Sequence, residues 1–107
     1  MKIFAFLACL PLFVAAQLNM SELGYLDLVS IHNSDASDIW GYVDGSGNEY
    51  AIVGLNNGTS IVDVTDPANP VEIFFEPGMN SIWRDIKTWN NHAYVTTEEP
   101  QGLFGSQ

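Results

Sequence analysis

Residues 50–71, YAIVGLNNGTSIVDVTDPANPV, constrain the fold of this chain more than any other stretch. Two β-branched and apolar runs, residues 51–55 and 59–64, flank Asn56-Asn57-Gly58. Such runs suit the pleated, half-buried surface of a sheet, and the Asn-Gly dipeptide is the one that tight hairpin turns favour. Asp66-Pro67-Ala68-Asn69-Pro70 then halts the pattern twice, because each proline lacks an N–H and fixes its own φ. Residues 71–75 make a further strand, which Glu76-Pro77-Gly78 ends. The stretch predicts one antiparallel meander.

The flanking sequence extends that pattern. Residues 38–43, DIWGYV, read as a strand with Trp40 and Tyr42 at alternate positions, followed by a flexible turn at residues 44–48. Residues 23–29 alternate weakly through Leu23, Tyr25, Leu26 and Leu28 and are read as a leading strand; residues 30–37 are polar and turn-rich and are read as a loop. The pattern restarts downstream. Residues 83–89, WRDIKTW, echo residues 37–42, with Asp38-Ile39 falling on Asp85-Ile86, and residues 92–96 echo residues 50–54. Asp38 and Asp85 are 47 residues apart, and Ala51 and Ala93 are 42 apart. A period of about 40 to 50 residues with four strands to the unit is that of a β-propeller blade. The fold class expected is therefore all-β: antiparallel four-stranded meander repeats forming a partial β-propeller of about one and a half blades. Blades bury their faces only against neighbours, and about three or more repeats are usual for stability. Both flat faces of so short an array are expected to be wet, and the chain reads as the front end of something larger.

A resemblance follows from these motifs. At Asp38-Ile39-Trp40-Gly41-Tyr42-Val43-Asp44, Glu49-Tyr50-Ala51-Ile52-Val53-Gly54-Leu55, Val62-Asp63-Val64-Thr65-Asp66-Pro67-Ala68-Asn69-Pro70-Val71 and Trp83-Arg84-Asp85-Ile86-Lys87, the sequence resembles the choice-of-anchor B family. Those are exported proteins of LVIVD-type propeller repeats that carry differing C-terminal anchors. The resemblance covers nearly all of the chain after residue 16 and departs after Gly102-Leu103, at Phe104-Gly105-Ser106-Gln107. It implies a propeller whose leading strand closes the last blade, and it carries no common catalytic residues.

Residues 1–16, MKIFAFLACLPLFVAA, have the order of a secretory leader: Lys2, a short apolar run, and small residues before the cleavage point. The run falls short of the roughly 20 apolar residues a spanning helix needs. The expected product is secreted or held at the cell surface. The organisation expected is a leader at 1–16, a strand and loop at 17–37, blades at 38–103, and a truncated end at 104–107. Cys9, the only cysteine, lies in the leader, so neither a disulfide nor a cysteine-based metal site is expected after cleavage. Thirteen acidic residues against three Lys and Arg give a formal charge of −10 over 107 residues. That balance argues against nucleic acid, which needs clustered cations, and against anionic membrane surfaces. No nucleic-acid partner is expected.

Several residues invite chemistry. Asp44, Ser46, Asn48 and Glu49 place oxygen atoms at near-alternate positions, as calcium loops do, but lack an EF-hand's Gly and distal Glu; a plain Asp/Asn turn explains the same letters. Calcium is the one cofactor the spacing admits. His32, Asp35 and His92 lack the spacing of a zinc site. Asp38 and Asp85 recur at blade starts, where paired carboxylates can crowd and push one pKa up. The plainer reading is that both cap turns or pair with Arg84. Trp40, Tyr42, Trp83, Trp89 and Tyr94 would stack on sugars or peptides, or else form the core between blades. Asn19 and Asn57 head Asn-x-Ser/Thr sequons that a eukaryotic host would glycosylate.

The function read from the residues is an exported binding or surface-scaffold protein with protein or glycan partners, not an enzyme. The alternative is an extracellular hydrolase or lyase whose site needs further blades. A third is a fragment with no function of its own. Open blade faces would also favour self-association.

Overall fold

The computed structural model describes residues 19–98. The leader at residues 1–16 with Cys9, and the end from residue 99 onward, lie outside the described residues. Among the described residues the chain is all-β apart from one short helix, and it forms two sheets.

The first sheet is a four-stranded antiparallel meander: β1 (Ala36–Val43), β2 (Glu49–Leu55), β3 (Gly58–Asp63) and β4 (Val71–Pro77), in that spatial order. In the centre of β2 and β3, residues alternate between two faces, with Ile52 opposite Ile61, Ala51 opposite Val62 and Tyr50 opposite Asp63. The second sheet pairs β5 (Arg84–Trp89) with β6 (His92–Thr97), Ile86 lying opposite Val95. β5 packs against β1 and β2, so the second sheet stacks on one face of the first. We call that the front face and the other the back face.

Both two-residue hairpin turns, β2–β3 and β5–β6, are built on asparagine, and they differ. Asn90 and Asn91 have φ of 49° and 60°, the signature of the mirror-image turn that two-residue hairpins favour. The turn between β2 and β3 is Asn56-Asn57, neither at positive φ, and Gly58 already pairs with Leu55 inside the ladder. The Asn-Gly dipeptide is therefore not the turn itself. Gly58 is needed for close approach: a Cβ there would sit 2.5 Å from both the Glu76 carbonyl oxygen and the Phe75 ring. Neighbouring loops hold the Asn56-Asn57 turn, through Asn56 N–H to Asp35 O (2.9 Å), Ser81 N–H to Asn56 O (2.8 Å) and Gly78 N–H to Asn57 O (2.9 Å).

The strand expected at residues 23–29 does not form. That segment is irregular and runs into a helix, α1 (Leu28–His32), which begins inside it and takes up part of the expected loop. Local chemistry explains the helix. Asp27 caps it by accepting the Ser30 N–H at 3.0 Å, and Asn33 ends it in the left-handed conformation at φ 48°. Leu26 and Leu28 pack on Val53, Leu55 and Val62, so the segment lies over the back face of the first sheet. The expectation that both outer faces would be wet holds for the outward face of β5–β6, where Trp89 and Tyr94 are exposed, and is corrected for the back face of the first sheet, which the N-terminal segment covers over β2 and β3. Leu55 and Ile86, one from each sheet, are fully buried.

Candidate functional site

The seam between the sheets gathers most of the residues the sequence singled out. Side chains on β1 alternate, so Asp38, Trp40 and Tyr42 share the front face. Each bonds to the second sheet. Asp38 Oδ2 accepts the Ile86 N–H at 2.9 Å, Trp40 Nε1–H donates to Thr88 Oγ1 at 2.9 Å, and Tyr42 O–H donates to Asn91 Oδ1 at 2.9 Å. Lys87 Nζ lies 4.2 Å from the centroid of the Trp40 ring. The Ile86 N–H, with lesser help from the Ile39 N–H and Lys87, holds the Asp38 carboxyl below its ordinary value against partial desolvation.

Arg84 completes the seam and is almost fully buried. Its guanidinium donates to three backbone carbonyls: Leu55 O from Nε (2.9 Å), Asn56 O and Met79 O from Nη2 (3.4 and 2.7 Å). The reading in which Asp38 and Asp85 pair with Arg84 is therefore corrected: among the described residues, Arg84 forms no salt bridge. Its donor fork is instead satisfied by carbonyls at the end of β2 and in the loop before β5. Gly54 lets the strands approach, since a Cβ there would lie 2.6 Å from the Arg84 carbonyl oxygen.

The two acids do not converge. Asp38 is turned into the seam, while Asp85 is exposed on the far side of β5 with no donor reaching it among the described residues. The aromatic residues divide in the same way. Trp40 and Tyr42 are partly buried in the seam; Trp83, Trp89 and Tyr94 are exposed.

The Asp44 loop is closed by its own carboxylate. Oδ1 accepts the Ser46 and Asn48 N–H groups at 2.8 and 2.9 Å, and Oδ2 accepts Asn48 Nδ2–H at 2.8 Å and the Tyr50 hydroxyl at 3.2 Å. These bonds, the Asn48 side chain's foremost, hold the Asp44 pKa below its ordinary value; burial, then Asp44 itself, raises that of Tyr50. Four donors on one carboxylate account for Asp44, Ser46 and Asn48 as a turn, and Glu49 opens β2 beside it. Among the described residues, no three His, Cys, Asp or Glu side chains cluster as metal ligands. No helix among them is long and apolar enough to cross a membrane.

Two features escaped the sequence. His32 stacks on Phe75 (centroids 3.8 Å apart), with Nε2 lying 2.6 Å from Glu72 Oε1, which also accepts the Ser60 hydroxyl at 2.6 Å. This cluster fastens the N-terminal cover to the back face from forty residues away, and no local pattern announces it. Asn57 is turned inward: Nδ2–H donates to His32 O at 3.0 Å and Oδ1 is buried without a partner. The folded hairpin tip therefore does not offer Asn57 to a glycan as the sequon implied, whereas Asn19 is exposed. His92 lies on the second sheet, with Nδ1 2.6 Å from Asn90 O, and Asp35 is exposed beside the Asn56-Asn57 turn.

At one end of the seam, a cleft of about 300 Å³ opens between Tyr42, Tyr50, Ile61, Ile73, Asn91 and His92. The two tyrosine rings lie 6.2 Å apart at 26°. Aliphatic walls with an aromatic pair and an amide at the rim can take a flat, partly apolar ring.

With this geometry described, comparison with known families gives one match. Residues 33–75 match the LVIVD repeat. The matched span runs from the end of α1 into β4 and so covers nearly all of the four-stranded sheet. The match suggests that this sheet is a β-propeller-type repeat. Searches of curated proteins and of solved structures return no match.

Proposed function

We propose that the chain is an exported binding or surface-scaffold protein of the choice-of-anchor B kind, meeting protein or glycan partners at the ends of its stacked sheets. The observation that carries this reading is the Asp38–Ile86 bond: the acid at the first blade start holds the second sheet rather than facing a second carboxylate. Trp40 and Arg84 likewise serve the seam, which argues for a scaffold role over acid–base chemistry. The Tyr42–Tyr50 cleft is the recognition surface, where a sugar ring or an aromatic peptide side chain would stack. The leader reading places the protein outside the cell.

Two measurements test this. Expression of the full chain in a secretory host should put a product beginning at Gln17 in the medium; retention inside the cell with Met1 in place overturns export. Glycan and peptide arrays probed with that product should give ligands whose binding is lost in Tyr42→Ala with the fold kept. Turnover of glycosides, esters or uronides that disappears in Asp38→Asn without unfolding overturns the non-enzymatic reading.

A further inference from the structure

The two sheets present the same repeat positions to opposite kinds of surroundings. Asp38, Trp40 and Tyr42 on the front of β1 correspond to Asp85, Lys87 and Trp89 on β5; Ile39 and Gly41 on the back correspond to Ile86 and Thr88. The seam joins the first set on β1 to the second set on β5. Ile86 is 0% exposed there, while Ile39, at the same repeat position, is 64% exposed. Asp38 accepts a backbone N–H across the seam; its counterpart Asp85 has no donor among the described residues. Trp89 is 71% exposed and Tyr94 52%, on the same outward face as Asp85 because they alternate with the inward Ile86 and Val95. Among the described residues, both halves of the seam therefore occur a second time, unmatched, on the back of β1 and on the outward face of β5–β6. The N-terminal cover leaves the Ile39 half open, since its leucines pack on β2 and β3 rather than on β1.

We propose that the outward face of β5–β6 docks a second copy of this chain, whose exposed β1 strip takes the place Ile86 occupies in the internal seam. Val43 of the second copy packs beside Trp89, and Asp85 accepts the Ile39 N–H, in the register that Asp38–Ile86 and Trp40–Thr88 set within the chain. The occupant is a second copy because the complementary surface is already present on this chain and its packing is already realised within it. The strip of Ile39, Gly41 and Val43 carries no charge, and Ile39 and Val43 are both more than half exposed. Repulsion between copies, each of formal charge −10, is thus long-range rather than at the contact, and added salt favours docking. The contact is heterologous, so each docked copy leaves one free half and assembly proceeds past the dimer into a ring or an open stack. This inference rests on the two sheets and not on what the cleft binds.

The test is light scattering coupled to size exclusion on the full chain at rising concentration and at low and high salt. The weight-average mass is expected to pass twice the monomer, more readily at high salt. Ile39→Asp and Trp89→Asp each alter an exposed side chain, keep the near-UV dichroism, and hold the protein monomeric. An equimolar mixture of the two is expected to form a 1:1 dimer and stop there, because only one intact pair of halves remains. Asp85→Asn should weaken docking about tenfold, by loss of a charge-assisted bond. A wild type that stays monomeric throughout overturns the proposal. So does assembly that survives either single variant, or a mixture that remains monomeric.

Discussion

The two sheets come from one repeating pattern, yet they stand in different conditions. The four-stranded first sheet is covered on its front face by the second sheet and, over β2 and β3, on its back face by the N-terminal segment. The two-stranded second sheet is covered on one, and every residue of β6 is exposed. The difference teaches where stability resides in such an array. A lone two-stranded ribbon is marginal in water, so β5–β6 persists through its seam rather than through its own ladder. Burial of Ile86 and the bonds to Asp38, Thr88 and Arg84 tie it down. Amide exchange should show the contrast directly, with β2 and β3 slowest and β6 fastest.

The largest way to break the comparison is to hollow the first sheet. Leu55→Ala removes a fully buried side chain and should cost about 2–5 kcal/mol in chemical denaturation, with both sheets lost together. A loss confined to β5–β6 amides would reverse the assignment of core and dependant. Arg84→Met comes next. It removes the guanidinium donor from the Leu55 and Met79 carbonyls, while Asn56 O keeps the Ser81 N–H, at a cost of about 2 kcal/mol. Exchange should accelerate at Ile86 while the β2–β3 amides keep their protection; equal acceleration everywhere would mean the seam and the core are one unit.

Acid sharpens the same contrast. Hydrogen bonds hold Asp27, Asp38, Asp44 and Asp63 below their ordinary values, through Ser30, Ile86, Asn48 and Thr65 respectively. Carboxylates with a depressed folded value contribute stability above the unfolded pKa of about 3.8 and lose it as pH falls towards the folded value. The protein should therefore weaken below about pH 4. Asp38→Asn should flatten the acid dependence of Ile86 exchange and leave that of the first-sheet ladder in place. Unchanged acid dependence at Ile86 would remove Asp38 from the seam's account. The smallest effect is expected from Thr88→Val, which takes the acceptor from Trp40 Nε1–H and should cost about 1 kcal/mol, read as a shift in denaturation midpoint.

Much of the meander was legible before any coordinates, because strand signals are local. The β-branched runs, the Asp66–Pro70 stop and the restart at Asp85-Ile86 place all six strands within two residues at each end. The helix at Leu28–His32 was legible too, in Asp27-Leu28-Val29-Ser30, where an acid precedes a serine by three; the weak alternation of Leu23, Tyr25 and Leu28 outweighed it wrongly. The candidate site was half legible. Asp38, Trp40 and Tyr42 stood out by alternation and recurrence, but recurrence does not say which face looks towards a neighbour. The cluster of His32, Glu72, Ser60 and Phe75 and the inward amide of Asn57 join elements far apart in sequence, so no window of residues contains them.

Local patterns, then, settled the strands, their antiparallel order and the period of the repeat, since steric preference and turn chemistry act over a few residues. Tertiary packing decided the rest: that the leading segment covers a sheet instead of joining one, that Asp38 is tied while Asp85 stays free, and that Ile86 is enclosed while Ile39 meets water. Identical letters acquire different roles because burial depends on what stands opposite, and opposition is a property of the folded chain.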